Sequence, residues 1–110
     1  MNPSAPLEAY PEQGSARPPL PDHTRSTTDP DLLRRMAAGD EAALGVLYDR
    51  WSALLHSVIV RIVGDRDDAE EALEETFWQA WRQAGRYEPS RGAASTWLAM
   101  IARTRAVDRV

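Results

Sequence analysis

Apolar residues in this chain recur at helical spacing in four stretches. The strongest lies between residues 41 and 63. There Leu44, Leu47, Trp51, Leu54, Val58 and Ile62 follow one another at steps of three and four, and Tyr48, Leu55 and Ile59 widen the stripe. This stretch is the expected core helix. Asp40 stands in the N-cap position, Glu41 lies in the first turn, and Val63-Gly64 ends the pattern. A shorter helix over 30–38 precedes it, opened by Asp29-Pro30 and closed at Gly39, with Leu32, Leu33 and Met36 on one side. At that length it must lean on other elements to be stable. Over 67–84, Leu73, Phe77, Ala80, Trp81 and Ala84 form a third stripe, capped by Asp65 or Asp67 and closed by Gly85. Over 94–110, Ala94, Trp97, Leu98 and Ile101 share a face that turns polar at Thr104, Arg105 and Asp108. The expected architecture is an all-α, compact four-helix domain. Its expected core is Leu47, Trp51, Leu54, Val58, Leu73, Phe77, Leu98 and Ile101.

Three places fall outside the stripes. Residues 1–28 hold Pro3, Pro6, Pro11, Pro18, Pro19 and Pro21, with sparse apolar residues and no period. Such a segment cannot bury enough to offset its ordering entropy, so a disordered, Pro-rich tail is expected, followed by a helical domain over 29–110. Between the last two helices comes Arg86-Tyr87-Glu88-Pro89-Ser90-Arg91-Gly92, where Pro89 disfavours helix at Glu88 and Gly92 frees the backbone. Trp78 sits one position off its stripe and is expected to be an exposed aromatic. The helical pattern is unfinished at Val110, which suggests a piece of a longer protein.

Composition sharpens this only in part. At 110 residues and 43% hydrophobic, the chain can build one modest core. With no Cys it has no disulfide framework and no thiolate metal site, in keeping with a reducing cytoplasm. No apolar run approaches the ~18 residues of a membrane span, and the N-terminus lacks the plan of a signal peptide. All basic residues are Arg, which favours planar contacts to phosphate and carboxylate.

Charge is more informative in its distribution than in its net value of −4. Asp65, Asp67, Asp68, Glu70, Glu71, Glu74 and Glu75 make the third helix acidic. Arg82, Arg86, Arg91, Arg103, Arg105 and Arg109 make the segment after it basic, against only Glu88 and Asp108. The helix dipole accounts for carboxylates in the first turn, but less well for Glu74 and Glu75 beyond it. Neighbouring surfaces of opposite sign suggest two partners. One would be a basic protein surface. The other would be an anionic, stackable ligand such as a nucleic acid.

Two segments carry a family resemblance. Asp68-Ala69-Glu70-Glu71-Ala72-Leu73-Glu74-Glu75-Thr76-Phe77-Trp78-Gln79-Ala80-Trp81-Arg82 resembles the core-binding motif of bacterial RNA polymerase sigma factors. Tyr87-Glu88-Pro89-Ser90-Arg91-Gly92 with Thr96 to Arg109 resembles their promoter-melting segment. Gly39-Asp40-Glu41-Ala42-Ala43 and Leu47-Tyr48-Asp49-Arg50 are similar to the start of the same domain. The resemblance is to region 2 of the sigma-70 family, in its extracytoplasmic-function (ECF) group. It covers about Asp29 to Val110.

The resemblance implies roles. Asp68, Glu71, Glu74, Glu75 and Trp78 would face the β′ clamp coiled coil of core RNA polymerase. Tyr87, Ser90, Arg91, Thr96, Trp97, Arg103, Thr104 and Arg105 would engage the non-template strand of the promoter −10 element, with one base extruded into a pocket made by the loop. An anti-sigma factor would be a further protein partner. No cofactor, metal or catalytic role is implied. Trp97 also lies on the apolar stripe, where packing is the simpler role. The family often has Asn where this chain has Thr104, and Gln where it has Glu74. Full-length members also carry a C-terminal helix-turn-helix region 4, which has no counterpart in these 110 residues. Two other function classes remain open. One is a helical protein-interaction module that reads no DNA. The other is a carboxylate enzyme or metal site on Asp67, Asp68, Glu71 and Glu75, to which no His contributes and for which one helical face offers too few ligands.

Overall fold

The computed structural model describes residues 26–110. They form α1 (Asp29–Ala37), α2 (Glu41–Val63), α3 (Arg66–Gln83), two single 3-10 turns (Ala84–Arg86 and Pro89–Arg91) and α4 (Ala94–Val107). Among the described residues there is no strand, and the fold is the expected all-α, four-helix one. Of the tail expected over residues 1–28, residues 1–25 lie outside the described residues.

Ser26 to Thr28 are exposed and lead into α1. Thr28, not Asp29, caps α1: its Oγ1 accepts from the Asp31 N–H at 3.4 Å. Asp29 is engaged elsewhere. Its carboxylate accepts from Arg50 Nη1 at 2.7 Å and from the Trp51 indole Nε1 at 3.0 Å, while Arg50 also donates to the Thr27 carbonyl. The start of α1 is thereby latched to the middle of α2.

The α1–α2 turn is tight. Gly39 takes φ +93°, a backbone region that suits glycine, and the Asp40 N–H returns to the Arg35 carbonyl. Asp40 caps α2 as expected, accepting from the Ala42 and Ala43 N–H groups. The Arg35 guanidinium, bonded to it at 2.9 Å, is the main reason its carboxyl is held below the ordinary range; burial opposes this, and the two backbone donors assist.

The core of α2 follows a different row from the expected one. Ala43, Leu47, Leu55 and Ile59 are buried, Trp51 and Val58 are half-buried, and Leu54 is 55% exposed. The helix lies against α1, α3 and α4, so its buried stripe is set by the notch between those neighbours. An over-wide apolar stripe cannot show which of its edges faces that notch. Trp51 is held by its latch to Asp29 as much as by packing. The expected core also omitted α1, whose Leu32, Leu33 and Met36 are among the most deeply buried side chains.

Asp65 caps α3 through the Asp68 N–H. The inner face of α3 is built largely of small residues, Ala69, Ala72, Thr76 and Ala80, with Leu73 and Phe77 between them. Thr76 is fully buried and satisfies its hydroxyl by donating to the Ala72 carbonyl at 2.8 Å. Gly85 does not close this helix through a left-handed residue, because the positive-φ glycines are Gly39, Gly64 and Gly92. Instead α3 tightens into the 3-10 turn at Ala84–Arg86. Helix α4 buries Ala94, Leu98, Ile101, Ala102 and Ala106, and stops at Val107 rather than at Val110.

This burial pattern has a direct test. Leu98→Ala, at a fully buried site, is expected to cost about 2–5 kcal/mol, whereas Leu54→Ala should stay within roughly 1 kcal/mol. Urea denaturation of the two variants measures both. Equal losses would place Leu54 in the core after all.

Candidate functional site

The outer face of α3 carries the acidic residues, because its inner face is taken up by the small and apolar row. Trp78 is 58% exposed, as its off-stripe position predicts. It lies beside Leu44, Tyr48, Phe77, Glu74 and Glu75 around a cavity of about 440 Å³ between α2 and α3. Tyr48 and Phe77 pack with ring centroids 4.9 Å apart. Sequence reading brought Glu74, Glu75 and Trp78 to this place but missed Leu44 and Tyr48. Their signal was an i, i+4 pair on α2, which had been absorbed into the core stripe.

The acidic face is not free of its own chain. Arg109, just past the end of α4, reaches back to α3. Its Nη2 meets Glu75 at 2.8 Å, and its Nη1 meets Glu71 at 3.0 Å and Asp68 at 3.7 Å. The hydrogen bond to Glu75, then the charge of Glu75 and the bond to Glu71, raise the Arg109 pKa above its ordinary value against the cost of desolvation. Arg105 turns the same way, donating from Nε to Gln79 Oε1 at 2.8 Å. So the two signs read from sequence as separate surfaces are partly sewn together. Glu74 is an exception and makes no ion pair among the described residues. Nor is any group of three or more His, Cys, Asp or Glu side chains among the described residues placed to hold a metal ion.

The loop and the first turns of α4 enclose a second cavity, of about 310 Å³. Tyr87, Arg91, Thr96 and Trp97 line it, together with Arg86 and Met100. Tyr87 closes the loop by donating its hydroxyl to the Gly92 carbonyl at 2.8 Å, and its ring packs on Trp97 with centroids 5.7 Å apart. Gly92 makes the return possible at φ +147°. Trp97 is half-buried, so it both packs on the core and shows a face to the cavity. Ser90 is exposed and does not line the cavity. Arg103 and Thr104 lie further along α4 and are exposed. Thr104 spends its hydroxyl proton on the Met100 carbonyl at 3.0 Å. Arg86, Arg91 and Arg103 make no ion pair among the described residues, in contrast to Arg109; Arg105 is held by its hydrogen bond to Gln79. Met100, 63% exposed, was missed because an apolar residue on a helix wheel signals packing first.

Residues 47–110, more than half of the chain, match the model of sigma-70 region 2. The chain belongs to the sigma-70 family. Both cavities and every candidate residue of the acidic face and the loop fall within the matched span, apart from Leu44 at the edge of the first. The chain is also similar to curated ECF sigma factors. It is 41% identical over 85 residues to the ECF RNA polymerase sigma factor SigK of Mycobacterium sp. (strain KMS), covering 76% of this chain and 44% of that protein. It is 37% identical over 87 residues to the ECF RNA polymerase sigma factor SigK of Mycobacterium tuberculosis, covering 78% and 46%. The chain thus spans about half the length of the sigma factors it matches. No helix among the described residues is long and apolar enough to cross a membrane.

Proposed function

We propose that this sigma-70 region 2 chain is the polymerase-docking and promoter-reading part of a transcription initiation factor acting in the cytoplasm, with no enzyme activity of its own. The α3 face bearing Asp68, Glu71, Glu74, Glu75 and Trp78 docks on the basic β′ clamp coiled coil of core RNA polymerase. The loop and α4 then hold the non-template strand of the −10 element, and one base leaves the stack for the cavity beside Tyr87 and Trp97. An anti-sigma factor would act by covering either surface.

The observation that carries this reading is the loop cavity itself. It has two aromatic walls, and unpaired arginines at its edge, on the same small unit as a carboxylate-rich helix but apart from it. Extracting a base costs a few kcal/mol. Stacking on an aromatic ring returns about 1–3 kcal/mol, and arginine–phosphate contacts add a salt-sensitive contribution. Arg103, whose side chain has no hydrogen bond or ion pair among the described residues, suits a phosphate contact better than Arg105, which is tied to Gln79.

A pull-down with purified core RNA polymerase tests the first half of the proposal. Stoichiometric capture that weakens with salt is expected. No capture at low salt would remove polymerase docking from the account.

A further inference from the structure

Arg109 lies across the acidic face of α3. Asp68, Glu71 and Glu75 lie on successive turns of one α3 face, and a single guanidinium spans all three. The carboxylates remain about half exposed or more, at 53%, 65% and 46%, so they are open to a ligand from outside. The seat is imperfect: the Arg109 Nε is buried and finds no acceptor. Arg109 also lies beyond the last residue of α4, in a turn held by the Arg109 N–H to the Ala106 carbonyl at 3.1 Å. One positive charge against three negative ones leaves the face attractive to a basic partner even while the clasp is closed.

We infer that Arg109 is a built-in competitor for the acidic face of α3: a basic partner must displace it, and it therefore sets how tightly that face binds. The inference rests on the docking reading above, in which the partner is the polymerase. Glu74 and Trp78, which Arg109 does not bridge, would make the first contact, and Glu71 and Glu75 would change partners afterwards. The loss of Arg109 exposes two carboxylates and adds one unit of negative charge, so association should speed up as well.

The test compares the wild-type chain with Arg109→Gln and Arg109→Lys. Each is titrated with core RNA polymerase and, separately, with a hexa-arginine peptide, after circular dichroism confirms the helical fold. Arg109→Gln is expected to bind both probes roughly two- to tenfold more tightly, the range an exposed ion pair or two would give. Arg109→Lys, whose single ammonium cannot bridge as a fork does, should fall between it and the wild type. If Arg109→Gln does not fold, Arg109→Lys alone must show a gain over the wild type. Unchanged or weaker binding of the peptide by the folded variants overturns the competitor role. A gain with the peptide and none with the polymerase overturns instead the docking of polymerase on this face.

Discussion

Replacing Glu74 by Arg together with Trp78 by Ala is expected to weaken binding to core RNA polymerase roughly hundredfold, because a central aromatic anchor and a steering charge are lost together. The fold should not change. Both side chains are exposed, and neither makes a hydrogen bond or ion pair among the described residues. Reversal of Glu71 and Glu75, the more obvious choice from sequence, would set two new arginines against Arg109 and push the end of α4 off α3. Binding loss in that variant would mix docking with folding. Surface-based binding kinetics, with thermal melts in parallel, separate the two. Full polymerase affinity in the Glu74→Arg/Trp78→Ala variant would take the groove between α2 and α3 out of the interface.

Tyr87→Ala is expected to abolish most base preference at one position of a −10-like single strand. The substitution removes one aromatic wall of the cavity and the hydroxyl that holds the Gly92 carbonyl. Stacking is worth about 1–3 kcal/mol per base whatever the base, so affinity should fall roughly ten- to hundredfold, and base preference should fall with it because the released loop no longer shapes the cavity. Tyr87→Phe keeps the ring and frees only the loop closure, so it should retain part of the preference. Arg103→Ala should behave differently: affinity falls by a similar factor for every oligonucleotide, and the salt slope drops by about one. Ser90→Ala, at a position outside the cavity, should change neither. Fluorescence anisotropy with core enzyme present, across salt concentrations and with all four bases at each position, measures all of these. Equal base preference in wild type and Tyr87→Ala would reduce the loop to a connector.

Much of this architecture was legible in the sequence because local signals agreed with one another. Asp40 and Asp65 cap where expected, Gly39 and Gly64 take positive φ, and the four helices fall near their predicted bounds. What failed depended on tertiary contact. Leu54 and Leu55 are equally apolar neighbours, and only the notch formed by the other helices buries one and exposes the other. Asp29 looked like a cap because Asp-Pro commonly opens a helix, yet Arg50 and Trp51 claim its carboxylate from 21 and 22 residues away. Thr28 takes over as cap.

The candidate site divides along the same line. The exposed Trp78 and the loop between Pro89 and Gly92 follow from periodicity and backbone chemistry. The clasp of Arg109 on Glu71 and Glu75 spans 38 and 34 residues, and no local pattern announces it. Charge counting placed Arg105 and Arg109 with the nucleic-acid surface. In the structure Arg105 donates to Gln79 and Arg109 to the acidic helix, while Arg82, Arg86, Arg91 and Arg103 make no ion pair among the described residues.

On the proposed function, one small helical unit docks on polymerase by α3 and thereby presents the loop cavity to single-stranded promoter DNA. Anisotropy of a labelled −10-like non-template oligonucleotide, measured with the chain alone, with core enzyme alone and with both, tests it most directly. Base-selective binding is expected when both proteins are present, and little or none with either alone. A chain that binds core enzyme tightly yet adds no affinity or base preference for the oligonucleotide would contradict it, and would identify the domain as a protein-interaction module.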